Sequence, residues 1–505
     1  MRWGWLVAIA MAACQPPREP GPPVTIVTET TKLRRGDPLP PVSAIYDGAR
    51  VHLRAARGET LAFQVVRRGA GEMRAALNVE GVPAKAWRVD DVRVVRASTG
   101  MYGPSAGTGD YPDRLVPGLG ATVTAPRVAL FELAVASDAT AGLHRGAITI
   151  DDRSIPIELE VLPVAIAPIG SGATPGAHGA PWVWAFYNAS ELARGLGLAP
   201  GSAEAWAAED RYRELFRGYG VFATPELTLD DADRRAPAIR GVTFVPVLLP
   251  RGKAAIQAAA RGWKARMEGT GQHAFAIPID EPHTLVDTLA ARVIAQWIDE
   301  AGGGVWLAVT DNPSWLYGNR AHVLIAPGAP GSGPPERRWT YNGAPPQAGS
   351  MIVDTDGAAP RTWGWIAFRW DVPLWYVWDA IYWRDRHNAK HRGEEATMME
   401  PARDAQTFDD GGDHGNLDGV LAYPDAQASL RLVEIRRGVT DRALLDALAR
   451  CAGRPAAEAI ARPIMPTALA AAGLPPAPGA WPVDEQAWEA ARDRVLDALV
   501  ACAAR

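Results

Sequence analysis

The feature that most constrains the fold is a change of hydrophobic period near residue 170. Before it, apolar residues come in short runs suited to strands. Val24-Thr25-Ile26-Val27-Thr28, Val51-His52-Leu53-Arg54 and Leu61 to Val66 are rich in β-branched and apolar side chains. Arg127 to Val135 and Ser154 to Val161 alternate apolar with polar, and pairs such as Asp47-Gly48 and Ala141-Gly142 mark turns between runs. Several short strands with no helical period among them predict an all-β unit, a β-sandwich, over residues 24–165. Pro163 to Pro175 reads as a linker. From residue 176 onward helical spacing (Ser202 to Gly218, Lys253 to Met267, Leu285 to Ala301) alternates with strand-like runs (Val242 to Leu249, Ala274 to Ile279, Gly304 to Thr310, His322 to Ala326). That alternation predicts βαβ units and a parallel sheet, and its length of about 250 residues suits a (β/α)8, TIM-like barrel. Leu430 to Arg450 and Asp484 to Ala504 read as closing helices. The expected chain is thus multidomain, all-β followed by α/β: a sandwich, then a barrel domain with C-terminal helices over residues 176–505.

Length and composition fit this division. The chain has 505 residues, which at roughly 150 per domain gives two to four. A net charge of −5 supplies no electrostatic footprint for nucleic acid. Residues 1–23 read as a targeting segment and tether. Arg2 precedes an apolar run, Trp3 to Ala13, too short to span a bilayer. Met11-Ala12-Ala13-Cys14 resembles a bacterial lipoprotein signal, with Cys14 as the lipidated residue; the alternative is a plain secretory signal. Gln15 to Pro23 is proline-rich and reads as an extended tether. The expectation is an exported protein, lipid-anchored in the bacterial cell envelope, with the outer membrane as its partner through that anchor. Cys451 and Cys502 remain; a disulfide and two buried thiols are both compatible with the sequence.

Chemistry concentrates at Ala276-Ile277-Pro278-Ile279-Asp280-Glu281-Pro282-His283, where an apolar strand ends in adjacent acids. In a barrel the C-terminal ends of the strands form the floor of the active site, and Pro282 is expected to hold Glu281 extended. Two close acids suit glycoside hydrolysis. Adjacent positions fit poorly with acids flanking a bond from opposite sides. They fit substrate assistance better, where the sugar's 2-acetamido oxygen attacks the anomeric carbon, one acid orients the amide and the other is the acid/base. Like charges so close push one pKa upward, as a general acid requires. The competing reading is structural: acids before a helix cap its N-terminus.

The Asp280-Glu281-Pro282 strand end resembles the catalytic motif of glycoside hydrolase family 123, and further pieces resemble that family in order. They are Tyr111-Pro112-Asp113-Arg114-Leu115-Val116-Pro117 in the sandwich, Trp339-Thr340-Tyr341-Asn342, Arg361-Thr362-Trp363-Gly364-Trp365 with Trp375 and Tyr382-Trp383, Asp418 to Pro424, Ser429 to Leu432, and Ala490 to Leu496. The resemblance spans nearly the whole chain after the tether. It implies a sandwich and barrel, and a retaining, substrate-assisted exo-hydrolysis of terminal β-linked N-acetylgalactosamine or a related N-acetylhexosamine in a glycan or glycoconjugate. Carried over, Asp280 orients the acetamido group, Glu281 is the acid/base, and Tyr341 contacts the acetamido group or its cyclic intermediate. No cofactor and no metal are implied. Thr340, where the pattern often has an aromatic, and the long acidic stretch Asp409 to Asn416 are departures that bear on the substrate.

Ten of the 19 tryptophans fall between Trp297 and Trp383. Indole faces stack on pyranose rings, so Trp339, Trp365 and Trp383, with Tyr341 and Asn342, are the expected substrate-binding residues; the competing reading makes most tryptophans core. His387 and His391 with Glu394 and Glu395 have a spacing that suits zinc on a helix, but Asn388 stands where a peptidase motif needs Glu. The stretch Asp409 to Asp418 is rich in oxygen ligands and lacks the terminal Glu of a calcium loop. Two other functional classes stay open: a catalytically inactive surface carbohydrate-binding lipoprotein, and a glycosidase for sugars without an acetamido group, with Asp311 or Asp354 as nucleophile.

Overall fold

The computed structural model describes residues 23–69, 71–170, 179–310, 321–325, 337–341, 343, 347–469 and 481–505. Cys14, Asp311 and Asn342 lie outside them.

Ten strands precede residue 166: β1 (Val24–Thr28), β2 (Val51–Arg57), β3 (Thr60–Arg67), β4 (Met73–Val79), β5 (Ala84–Val94), β6 (Gly109–Pro117), β7 (Thr122–Ala125), β8 (Val128–Ala134), β9 (Gly142–Ile150) and β10 (Arg153–Ala165). They form two five-stranded sheets, in the orders β1-β3-β8-β5-β6 and β2-β10-β9-β4-β7. The second follows the period-two rule: β4 alternates buried with exposed or half-buried positions. The first does not, since β3 and β8 are buried along almost their whole length. Phe63, Val65, Phe131 and Leu133 face the core between the sheets, whereas Ala62, Val66, Val128 and Leu130 join a second cluster shared with the C-terminal helices. The sandwich therefore has a covered outer face, and its packing runs without a break into the rest of the chain.

The second half contains β11 (Val183–Ala185), α1 (Ala189–Gly195), α2 (Ala203–Gly218), β12 (Val221–Ala223), β13 (Phe244–Pro246), α3 (Lys253–Met267), β14 (His273–Ala276), α4 (Leu285–Glu300), β15 (Trp306–Val309), β16 (Val323–Ile325), β17 (Arg338–Tyr341), α5 (Ala358–Arg369), β18 (Trp375–Val377) and α6 (Arg386–Arg392). The strands make one eight-stranded sheet, β12-β11-β18-β17-β16-β15-β14-β13, parallel at every pairing. Aromatic rings show that it is rolled. Trp184 of β11 meets Phe275 of β14 at 5.2 Å, and Phe275 meets Trp339 of β17 at 4.6 Å, although none of these strands pair. The sheet edges touch through one parallel bridge, Leu227 with Val247, where the Leu248 amide donates to the Leu227 carbonyl at 2.9 Å. The expected (β/α)8 barrel is met only in part. The edges share one bridge in place of a ladder, and a short 3-10 turn, Ala236–Ile239, stands where a helix would link β12 to β13.

The closing helices are α7 (Leu430–Ala452), α8 (Arg454–Ile464) and α9 (Glu485–Ala503). Ser429 caps α7 by accepting the Leu432 amide, and Asp484 caps α9 through Gln486. Helix α7 is buried on almost every side over its first three turns. Its ion pairs hold the sandwich: Arg431 with Asp113 at 2.9 Å, Arg436 with Glu132 at 2.6 Å and Arg437 with Glu29 at 3.4 Å. Helix α5 crosses α7 at a glycine pair; a Cβ on Gly364 would lie 1.7 Å from the Gly438 carbonyl oxygen. Cys451 and Cys502 form a disulfide joining α7 to α9, which settles the pairing the sequence left open. Among the described residues no helix is long and apolar enough to cross a membrane.

Candidate active site

Strand β14 is short and apolar, and Ile277 and Ile279 beyond it still pack against the core beneath the sheet. The chain then turns at Asp280 and Glu281. Thr310, directly after β15, fixes that turn twice: its hydroxyl donates to Asp280 Oδ1 at 2.7 Å and accepts the Glu281 amide at 2.6 Å. Glu281 has φ of +41°, in the left-handed region, rather than the extended backbone expected before Pro282. A non-glycine residue held there is strained, and such strain gathers at functional sites. It turns the Glu281 side chain toward solvent, with 49% of its surface exposed.

The helix-cap reading of the acids fails. The N-cap of α4 is Thr284, whose hydroxyl oxygen accepts the Asp287 amide. Asp280 and Glu281 stand before the helix and take no part in its capping.

Three further strand ends bring groups to the acids. From β17, the Tyr341 hydroxyl donates to Glu281 Oε1 at 3.3 Å. From β18, Tyr376 stacks on Trp184 at 4.6 Å, and burial with the nearby charges of Asp280 and Glu226 drives its hydroxyl pKa well above the ordinary range. After β12 comes Glu226, a residue sequence reasoning missed. Burial pushes its carboxyl up to about 7, the Asp280 charge adds to the shift, and the Ile277 amide opposes it. Glu226 therefore gains and loses its proton near neutral pH, while Thr310 fixes Asp280. Its signal was Thr224-Pro225-Glu226 after a three-residue apolar strand, too short to register as one. His283 is exposed, its Nε2 3.7 Å from Glu281 Oε2.

No family model matches the chain, and no curated protein matches it. Among solved structures, a family 123 glycoside hydrolase from Clostridium perfringens, studied for glycolipid glycan hydrolysis, superposes with a TM-score of 0.59 at 12% identity, over 87% of this chain and 91% of that one. The chain has the fold of a family 123 glycoside hydrolase. Two other glycoside hydrolases overlap too loosely to carry an argument. One is a family 2 member from Bacteroides cellulosilyticus (TM-score 0.26, 11% identity, 65% of this chain, 44% of that one). The other is a family 20 exo-β-N-acetylglucosaminidase from Vibrio harveyi (TM-score 0.16, 8% identity, 70% and 81%).

Within the family 123 fold, the expected tryptophan platforms are core residues. Trp339 is fully buried between Phe244 and Phe275, one layer beneath Tyr341. Trp365 is buried in α5, donates to Asp441 at 2.9 Å and packs on Trp488. Trp383 is buried against Tyr212 and donates to the Ala422 carbonyl at 2.8 Å. An indole sealed on both faces cannot stack on a sugar, and aromatic density in the sequence does not distinguish a platform from a core ring. Asp354 is likewise no nucleophile: it is fully buried and anchors the sandwich, accepting from the Ser98 amide at 2.8 Å and the Ser98 hydroxyl at 2.7 Å.

Most motifs that carried the resemblance are structural. Asp113, Tyr423 and Arg431 come from three of them and meet in one buried group. Arg431 forks onto Asp113 at 3.0 and 2.9 Å, and the Tyr423 hydroxyl donates to the same carboxylate. Arg361 pairs with Asp441 and Glu489. The stretch from Asp409 is a hairpin whose acids bind its own turn, Asp410 accepting the Gly412 and Asp413 amides at 2.9 and 2.8 Å. Among the described residues no group of three or more His, Cys, Asp or Glu side chains converges as a metal site. His387 and His391 lie in α6, and their side chains fall outside what is described.

Proposed function

We propose that the chain is an exo-acting glycoside hydrolase that removes terminal β-linked N-acetylgalactosamine, or a related N-acetylhexosamine, with retention and substrate assistance. The observation that carries this reading is the Thr310-braced turn, which fixes Asp280 by a hydrogen bond and leaves both Asp280 and Glu281 exposed at the end of the strand. In the first step Asp280 accepts the acetamido N–H, which strengthens the attack of the acetamido carbonyl oxygen on the anomeric carbon. Glu281 protonates the departing glycosidic oxygen as that bond breaks, leaving a cyclic oxazolinium. Glu281, now a carboxylate, takes a proton from water, whose oxygen attacks the anomeric carbon from the face the leaving group vacated and reopens the ring. Two inversions give net retention. Tyr341, at hydrogen-bond distance from Glu281, holds the acid/base in place as it changes charge. The substrate would be a glycan or glycoconjugate reached from a lipid anchor at Cys14 on the exported protein.

The test is release of nitrophenol from aryl β-glycosides of N-acetylgalactosamine, N-acetylglucosamine and galactose. Turnover of the N-acetyl sugars alone is expected, and Glu281→Gln should lower kcat on them by about 10²–10⁴-fold. Equal turnover of the galactoside overturns substrate assistance. Sugar binding without turnover would instead make the chain a carbohydrate-binding lipoprotein.

A further inference from the structure

Asp418-Gly419 opens the stretch to Pro424 that resembles family 123, and the proposed chemistry leaves the pair without a role. Their surroundings supply one. Asp418 is 2% exposed and follows the hairpin Gln406–Asp409 with His414–Asn416. Its carboxylate accepts the indole N–H of Trp378 at 3.1 Å. Gly419 has φ of +73°, and a Cβ there would lie 2.8 Å from Cζ2 and 3.2 Å from Cη2 of the same indole. Acceptor and cleared space thus address one ring. Phe408 meets it edge-on at 5.7 Å and Tyr382 leans on it at 5.3 Å.

Trp378 stands at the right place for a sugar. It lies two residues beyond Tyr376, and alternate residues along a strand share a face. Tyr376 points into the sheet's interior, against Trp184 and toward Asp280 and Glu226. Trp378 is half-buried at the seam of two core clusters, one of which also takes Ile277, Ile279 and Tyr341. Of the other described tryptophans past residue 296 that keep exposure, Trp297 and Trp370 belong to helices or their ends and Trp306 opens a strand. Trp378 follows the end of one.

We propose that Trp378 is the ring on which the pyranose stacks, and that Asp418 and Gly419 are positioning residues that fix its orientation. This rests on the sugar-processing reading above and assigns the motif a task within it. The seat also ties the mouth to the sandwich. The Asp418 carboxyl is faced by Tyr102, in the turn Gly100–Tyr102, and by the charge of Arg431.

The experiment measures KM, kcat and Tm with the 4-nitrophenyl β-glycoside of N-acetylgalactosamine. Trp378→Ala is expected to raise KM by about tenfold, the scale of an aromatic contact. Asp418→Ala should raise KM severalfold with a smaller change in kcat, and Asp418→Asn, which keeps a carbonyl acceptor, should restore it. An unchanged KM in Asp418→Ala, or failure of Asp418→Asn to restore KM while the fold is intact, overturns the positioning role. If Asp418→Ala does not fold, Trp378→Phe keeps a ring without the N–H, and an unaltered KM there overturns the proposal. If the wild type turns over no glycoside, saturation-transfer NMR with free N-acetylgalactosamine separates the two readings. Binding lost in Trp378→Ala upholds the platform while the hydrolase reading falls; binding that survives it, or no binding by the wild type, overturns the platform as well.

Discussion

Acidic side chains meet different surroundings along α7 and at the mouth of the parallel sheet. Along α7, three acids are clamped by arginine: Asp113 has Arg431, Glu132 has Arg436, and Glu489 has Arg437 and Arg361. Glu434, 3.6 Å from Lys32, is the exception, and burial pushes it up to about 8. At the mouth of the parallel sheet, Asp280 is held by a hydroxyl, and burial beside Asp280 pushes Glu226 up to about 7. A carboxylate clamped by several guanidinium groups, as Glu489 is, resists protonation, whereas a carboxyl raised by burial without such a clamp, as Glu226 is, can exchange a proton near neutral pH. The α7 seam is an anchor, and the mouth is the surface proposed to carry the reaction.

The largest expected effect breaks the seam. Asp113→Ala strips the partner from fully buried Arg431 and should cost about 3–5 kcal/mol in denaturant unfolding. Activity per folded molecule should persist, and its loss with stability unchanged would refute the division. Next, Cys502→Ser removes the α7–α9 disulfide, which closes a loop with a sequence separation of 51. Chain entropy sets its contribution at about 4 kcal/mol at most, so a fall in Tm that matches treatment of the wild type with reductant is expected. Thr310→Val acts on the other side of the comparison. It leaves the Glu281 amide and Asp280 without their shared hydroxyl, and at about 1.5–3 kcal/mol for a bond to a charged group kcat should fall tenfold or more. An equal loss of Tm and no change in kcat would make Thr310 part of the anchor.

The smallest effect concerns pH. Glu226 and Asp418 are each pushed up to about 7, chiefly by burial. Both bind protons more readily in the folded chain than in the unfolded one. The stability they contribute is therefore complete below the ordinary carboxyl range and is lost as pH rises through about 7. Burial opposes ionisation of Glu489, but the charges of Arg437, Arg361 and Arg492 hold its carboxyl well below the usual range. Its contribution is lost only in strong acid, so it does not offset the others near neutrality. Tm should fall from pH 5 to pH 8, with a shallower slope in Asp418→Asn; a flat or rising profile contradicts the assignment.

Long elements were legible in the sequence because period and caps were local. The helix expected over Lys253 to Met267 is α3 with those bounds, and that expected over Leu285 to Ala301 is α4 within a residue. Strands β11, β12 and β18, three residues each, fell below what periodicity can resolve. Glu226 was missed with its strand. Trp378 was passed over for Trp339, Trp365 and Trp383 because exposure depends on what packs against a ring from distant parts of the chain.

What the sequence by itself determined was the division at residue 170, the strand that ends in Asp280 and Glu281, and the family whose motifs the chain resembles. Those depend on neighbours within a few residues. Tertiary structure decided which of these residues face solvent. It placed Thr310 under both acids, turned Glu281 into a left-handed conformation, sealed three tryptophans and brought Asp113, Tyr423 and Arg431 from three motifs into one buried group. The physical reason is that burial and charge pairing are properties of packed surfaces, and the residues forming these surfaces are separated by up to hundreds of positions in the chain.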